Sequence, residues 1–195
     1  MNNYSKYKDE ELILLLREPK PACDIAFNEI YLRHSKHLYA YCLYKLKNIE
    51  RAKDIFQDTW VNFHKRCQSN EPIQRLRPYL LTIARNLIIK DWIENKTEDL
   101  LLINVEGITS NVFLGEMNFS QTQDDKELLS HVINTVNGLE DIYREVYVLK
   151  IFEDLSYTEI AKLTGEPIKT IQSRFYKASN ILNEILLPYI KEFNK

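Results

Sequence analysis

Side chains that can bond nucleic-acid bases and phosphates gather in one short segment near the end of this chain. They are Lys169, Thr170, Gln172, Ser173, Arg174 and Lys177. Arg and Lys pair with guanine edges or phosphates, Gln pairs with adenine, and Ser and Thr contact either. From residue 160 onward, six Lys and Arg residues stand against three Glu residues, a local positive excess in a chain of formal net charge −2. We interpret the segment as a nucleic-acid contact; the alternative is the solvated face of an ordinary helix.

The residues just before this segment have the order of a helix-turn-helix. Ser156 with Glu159 three residues later forms a capping box, in which each side chain satisfies a backbone N–H of the other residue. Gly165 suits the end of a first helix, and Pro167 suits the start of a second. The order predicts a helix-turn-helix, whose second helix normally enters the major groove of DNA.

An apolar stripe supports this interpretation, because it places the polar residues on the opposite side of the second helix. Its members recur at spacings of three and four: Ile168, Ile171, Phe175, Ala178, Leu182 and Ile185. Such a stripe predicts a helix with one side facing a core.

A second polar cluster lies in the first half of the chain. Asp54, Gln57 and Asp58 share one face of a predicted helix and offer two carboxylates and an amide to a basic partner. The alternatives are a solvated acidic face, or a metal site of a helical hydrolase formed by Asp54, Asp58 and His64.

Composition indicates an all-α protein. The chain has 195 residues, of which 45% are hydrophobic, only four are Gly and only six are Pro. Its apolar run Leu12–Leu16 is far too short for a membrane span, so we expect a cytoplasmic location. Cys23, Cys42 and Cys67 form no CxxC pair, which argues against a disulfide framework. We expect no metal and no cofactor.

The chain divides into two predicted helical domains joined by a flexible acidic linker. The linker has six Asp and Glu residues and no Lys or Arg. The predicted ranges are 8–96 for the first domain, 97–125 for the linker and 126–191 for the second domain. The predicted helices cover about 9–17, 24–47, 50–67 and 76–95 in the first domain, and about 128–137 and 140–152 before the helix-turn-helix.

Helical spacing also predicts which residues of the first domain face its core. In the second helix they are Phe27, Ile30, Tyr31, His34, Leu38 and Tyr41. In the third they are Ala52, Ile55, Phe56, Trp60 and Phe63, and in the fourth Tyr79, Leu80, Ile83, Leu87 and Ile88.

Two blocks of this sequence resemble the extracytoplasmic-function sigma factors. The stretch Asp54–Val61, followed by Tyr79–Leu87, is similar to regions 2.2 to 2.4 of that family, and Leu139–Arg174 is similar to region 4. The resemblance implies a two-domain factor that performs no chemistry itself. Such a factor binds core RNA polymerase, recognises a two-part promoter and helps to open the DNA.

The resemblance also implies roles for individual residues. Asp54, Gln57 and Asp58 match the surface that meets the clamp of the largest polymerase subunit. Asn86 matches a position that holds a flipped base of the −10 element, and Arg85 and Lys90 near it are candidate contacts to the DNA backbone. The region 4 segment from Lys169 to Lys177 matches the reader of the −35 element. Residues 68–75 match the specificity loop for the flipped base, and the linker matches a segment that threads the polymerase. Many members bind an anti-sigma factor.

A regulator of the LuxR type is the rival interpretation of the helix-turn-helix. It would follow a receiver or ligand domain and bind DNA as a dimer, and the block from Asp54 to Asn86 resembles neither kind of domain. The sequence also departs from the sigma pattern at Gln172, where relatives often carry a basic residue. This departure predicts a different base preference, towards adenine.

Overall fold

A computed structural model describes residues 4–67, 72–94, 131–132 and 134–193 of the chain, with side chains as far as Pro188. The regular elements in these ranges are α-helices and one short 3₁₀ turn, Tyr4–Lys6. The all-α prediction is therefore confirmed. The described helices fall into two units, one before residue 110 and one after it. The predicted linker and residues 68–71 of the predicted specificity loop lie outside the described residues, and the predicted domain limits stay predictions.

Four α-helices form the first unit: α1 (Asp9–Leu15), α2 (Ala22–Leu46), α3 (Ile49–Cys67) and α4 (Leu76–Glu94). Helix α2 packs against each of the other three, and α3 also packs on α4. The second half of α2 is therefore buried on several sides. Its buried residues include His34, His37, Leu38, Ala40, Tyr41, Cys42, Leu43 and Leu46.

The aromatic residues of α2 and α3 meet at one edge of this unit. The ring centroids of Phe27 and Trp60 lie 5.7 Å apart, and those of Trp60 and Phe63 lie 5.8 Å apart. Tyr31 was predicted to face the core, and this prediction is wrong because 37% of the residue is exposed. Its ring rests against Trp60 at a centroid distance of 5.0 Å, so it borders the aromatic cluster.

Polar contacts tie the start of the chain to α2. The Arg33 guanidinium donates to Asp9 at 3.1 Å and also to the backbone carbonyls of Tyr4, Ser5 and Tyr7. The His34 ring lies 2.8 Å from the second Asp9 oxygen. The hydrogen bond with His34, together with the charges of His34 and Arg33, lowers the pKa of Asp9 below its usual value of 3.8.

The second unit contains α5 (Asp141–Ile151), α6 (Tyr157–Thr164) and α7 (Ile168–Phe193). Residues 134–137 are also helical, as predicted for the end of the preceding helix. Helix α7 packs on both α5 and α6 through Ile171, Ala178 and Leu182, which are all less than 4% exposed. Two predicted members of this stripe are wrong, because Ile168 and Ile185 are 42% and 46% exposed. Ile168 is the first residue of the helix, and Leu186 is buried near the other end of the stripe instead.

Both ends of α6 confirm the predicted caps. Ser156 Oγ accepts from the Glu159 N–H at 3.2 Å, and a Glu159 oxygen accepts from the Ser156 N–H at 2.8 Å. Gly165 ends α6 with a φ of 77°, a left-handed conformation that Gly adopts without steric penalty. Pro167 precedes α7, and its carbonyl accepts the N–H of Ile171 at 3.1 Å.

Loss of the cap hydroxyl should destabilise the second unit. We expect Ser156→Ala to lower its free energy of unfolding by about 1 kcal/mol, because one first-turn N–H of α6 loses its acceptor. Hydrogen exchange of the α6 amides would measure the change. Thr158→Ala is the control, since Thr158 is exposed in the same helical turn. Equal protection in both variants would show that the cap contributes nothing.

Asp9 should stabilise the first unit in a pH-dependent manner. Because its pKa is lowered by folding, its contribution is complete above about 3.8 and disappears as the pH falls through the folded-state value. We therefore expect Asp9→Asn to be less stable than the native chain at neutral pH, with the difference shrinking in acid.

Urea unfolding followed by tryptophan fluorescence reports on this unit, which contains both tryptophans, Trp60 and Trp92. Asp24→Asn is the control, since Asp24 is exposed, with an ion pair to Lys20 at 3.3 Å and a contact from the Cys23 thiol at 3.7 Å. A stability difference that does not vary with pH would contradict the role of the Asp9 carboxylate.

Candidate nucleic-acid interface

The polar side of α7 lies opposite its buried stripe. Lys169, Ser173 and Lys177 are exposed, whereas Thr170, Gln172 and Arg174 are half-buried. In the described part of the chain, no hydrogen bond or ion pair engages Lys169, Gln172 or Ser173. The structure therefore brings the six predicted side chains onto one end of one helix, and it leaves donors and acceptors of three of them available to a partner.

Arg174 forms an ion pair within the helix-turn-helix. Its guanidinium donates to the carboxylate of Glu166 at 3.1 Å, across the turn that joins α6 to α7. The side chains are 24% and 39% exposed, so water still reaches both groups. Glu166 is one of the three Glu residues that follow residue 160, and sequence reasoning assigned it no role beyond its negative charge. A partner of Arg174 must therefore displace this carboxylate or bind beside it.

Lys177 contacts a tyrosine on α5. Its ammonium donates to the Tyr143 hydroxyl at 2.7 Å and lies 4.7 Å from the centroid of the same ring. This hydrogen bond, with smaller effects of charge on Tyr143 and Glu140, raises the pKa of Lys177. The lysine is thus held at one position without losing its positive charge. Sequence reasoning missed Tyr143, which precedes Lys177 by 34 residues.

The three predicted DNA contacts of the first unit lie on α4 but do not share one face. Asn86 and Lys90 are exposed one helical turn apart, and Lys90 lies 3.7 Å from Glu94. Arg85 is half-buried and lies about 100° around the helix from Asn86. Ile93, 66% exposed, follows two turns after Asn86 on the same face and was missed. Its spacing of seven residues from Asn86 was the available signal.

The predicted polymerase contacts are all exposed on α3. Asp54, Gln57 and Asp58 lie opposite the buried Ile55 and Phe63 side of that helix. Val61, 49% exposed, continues the same face by one turn, and the sequence analysis did not include it. An open cavity of about 700 Å³ adjoins Val61. Its lining includes Phe27, Tyr31, Trp60, Val61, His64 and Lys65.

The described residues contain no group of three or more His, Cys, Asp or Glu side chains that could hold a metal ion. They also contain no helix long and apolar enough to cross a membrane.

Each of the two units matches the model of a known protein family. Residues 30–97 match the model of Sigma-70 region 2, and residues 132–181 match that of Sigma-70 region 4. The two matches together span more than half of the chain. The chain belongs to the RNA polymerase sigma factors, in their extracytoplasmic-function group. The family consists of transcription initiation factors, not enzymes, and the region 2 match distinguishes the chain from a LuxR-type regulator.

Individual relatives agree with the family match. The chain is 27% identical to the extracytoplasmic-function sigma factor SigW of Bacillus subtilis, over 88% of this chain and 94% of SigW. It is 26% identical to the ferric citrate uptake sigma factor FecI of Escherichia coli, over 79% and 87% of the two chains.

Solved structures share the fold. RpoE of Bartonella quintana, solved with the anti-sigma factor NepR, aligns with a TM-score of 0.54 at 23% identity, over 82% of this chain and 96% of RpoE. CnrH, solved with the cytosolic domain of CnrY, aligns with a TM-score of 0.56 at 19% identity, over 91% and 96%.

Proposed function

We propose that this sigma factor binds core polymerase through α3 and reads the two promoter elements with α4 and α7. The observation that carries this proposal is the presence, in one chain and in family order, of region 2 and of a helix-turn-helix with an outward polar face. Promoter opening then requires both units to act on the same polymerase. The factor needs no cofactor of its own, because the polymerase supplies the chemistry.

The α3 surface suits a basic helical partner. Asp54 and Asp58 are exposed one turn apart, with Gln57 between them, so two carboxylates and an amide face the same direction. Val61 adds apolar contact at the end of this row. Opposite charges accelerate the encounter and align the partners, while the apolar contact contributes to affinity.

Asn86 is the proposed contact to an unpaired base of the −10 element. Its amide can donate and accept at once, which matches the edge of a base. A flipped base costs a few kcal/mol of stacking, so the surface that receives it must supply compensating contacts. The exposed Ile93 and Lys90 on the same face offer apolar surface and a phosphate contact.

Helix α7 is the proposed reader of the −35 element. Gln172 and Arg174 are suited to adenine and guanine edges, whereas Lys169 and Lys177 are suited to phosphates. Gly165 ends α6 and forms the turn that presents the start of this helix.

Two further aspects of the proposal concern the cellular setting. A factor that acts on polymerase and DNA works in the cytoplasm. We also propose an anti-sigma partner, since the similar protein RpoE was solved with the anti-sigma factor NepR.

Run-off transcription with core polymerase and genomic fragments tests the function directly. We expect the purified chain to produce start sites that core enzyme alone does not use. The proposal fails if core polymerase neither retains the chain during gel filtration nor gains new start sites from it.

Charge reversal on α3 should weaken assembly with the polymerase. We expect the double variant Asp54→Lys/Asp58→Lys to lose at least tenfold in affinity for core enzyme, because two like-charge contacts replace two attractive ones. Glu10→Lys/Glu18→Lys is the control, since both glutamates are exposed, neither belongs to α3, and the net charge changes equally. Fluorescence titration of labelled chain with core enzyme gives both affinities. Equal values would exclude this surface.

Removal of the Glu166 charge should strengthen binding at the −35 element. Glu166→Gln weakens the hold on Arg174, and we expect about two- to fivefold tighter binding of the holoenzyme at low salt, the range of an exposed ion pair. Glu184→Gln removes the same charge from an exposed site later on α7 and serves as the control. Weaker binding by Glu166→Gln would show that the carboxylate instead holds Arg174 in its productive position.

A further inference from the structure

Tyr143 and Lys177 form a surface pair that the proposed readout by α7 does not explain. Tyr143 lies in the first turn of α5, and Lys177 lies near the middle of α7. The pair is joined by the hydrogen bond of 2.7 Å, which places the ammonium beside the hydroxyl end of the ring, 4.7 Å from its centroid. Lys177 is exposed, so the packing of the unit does not require this contact.

Lys177 and Tyr143 have further N–H and O–H donors besides the one in their mutual hydrogen bond. An ammonium has three N–H bonds, and one of them is directed to the tyrosine oxygen. Two ammonium donors therefore remain, and the tyrosine keeps its own O–H. A hydroxyl that accepts from a cation is polarised and becomes a stronger donor. Three donors thus lie within one hydrogen-bond length of each other, beside a full positive charge.

This combination matches an anionic oxygen group. Lysine ammonium and tyrosine hydroxyl groups are both common donors to DNA phosphates. Tyr143 also restrains a side chain that otherwise has four free rotations, so less entropy is lost when a phosphate binds. The hydrogen-bond partner of the ammonium is an uncharged phenol, and Glu140 acts on the ammonium through its charge without forming an ion pair with it. Lys177 differs in this respect from Arg174, whose partner is a carboxylate.

We propose that Tyr143 and Lys177 together bind one phosphate of the DNA backbone beside the recognition helix, with the Tyr143 hydroxyl donating directly to it. The inference rests on the proposed function, because it assigns a further contact at the same DNA site. It adds α5 to the elements that touch DNA. Through this contact, α5 fixes the position of α7 along the duplex.

Removal of one hydroxyl tests the assignment. In holoenzyme bound to promoter fragments, Tyr143→Phe keeps the ring but deletes the hydroxyl, which is both the donor to the phosphate and the acceptor from Lys177. We expect about three- to tenfold weaker binding, the effect of one hydrogen bond, by the same factor on every −35 sequence. The dependence of log K on log salt should not change, because no charge is lost.

Lys177→Gln provides the second arm of a double-mutant cycle. We expect its salt slope to fall by about one. The variant with both substitutions should bind only slightly less tightly than Lys177→Gln alone, because without the ammonium the hydroxyl is neither polarised nor held at the phosphate. Tyr147→Phe is the control: Tyr147 lies one turn later on α5, where its ring stacks on Phe175 at 5.8 Å. It should bind like the native chain.

Three results would overturn the proposal. Native affinity for Tyr143→Phe would exclude a contact by the hydroxyl, provided that its thermal unfolding matches that of the native chain. Fully additive losses in the cycle would exclude a shared phosphate. A loss confined to some −35 sequences would indicate a base contact instead. Transcription by the native holoenzyme in the same experiment separates these results from a failure of the proposed function.

Discussion

Burial of the apolar stripe on α7 determines what the second unit can present to a partner. Ile171, Ala178 and Leu182 are almost fully removed from water against α5 and α6. A rotation of α7 by one residue would expose Ile171 and press Gln172 into an apolar environment, and both changes are unfavourable by a few kcal/mol. The register of the helix is therefore fixed by the core. The outward positions of Lys169 and Ser173 follow from it.

In the first unit, too, burial determines which helix faces remain available to a partner. Helix α2 contacts three other helices, so most of its second half is buried and presents little surface to a partner. Helix α3 is amphipathic, with Ala52, Ile55 and Phe63 inward, and its opposite face is left to polar residues. The central helix thus holds the unit together, while α3 and α4 supply the faces with which we propose that the factor meets polymerase and DNA.

Local signals in the sequence predicted the local parts of this structure. The Ser156–Glu159 box and Gly165 act through contacts within a few residues, and the structure contains both. Periodicity was less reliable at the ends of the long helix. Near the C-terminal end of α7 the buried residues are Leu182 and Leu186, four apart, so the buried line passes beside Ile185. Tyr31 contacts Phe56 and Trp60 and is still 37% exposed, because spacing defines a direction but not how completely the opposing helix covers a side chain.

Contacts between side chains that are far apart in the sequence could not be predicted from local spacing. These contacts change the interpretation of the polar side of α7. Arg174 and Lys177 look alike in the sequence, yet one is paired with a carboxylate and the other with a phenol. The Glu166 carboxylate repels any phosphate. Arg174 is therefore expected to contribute most binding energy where hydrogen bonds to a base edge compensate for the displacement of Glu166. A phenol leaves the charge of Lys177 intact, which suits a phosphate on any sequence. We therefore propose that Arg174 contributes discrimination between sequences and Lys177 contributes affinity. Since the chain as a whole is slightly acidic, with a net charge of −2, neither is expected to hold DNA firmly until polymerase places both units on one duplex and their weak contacts add.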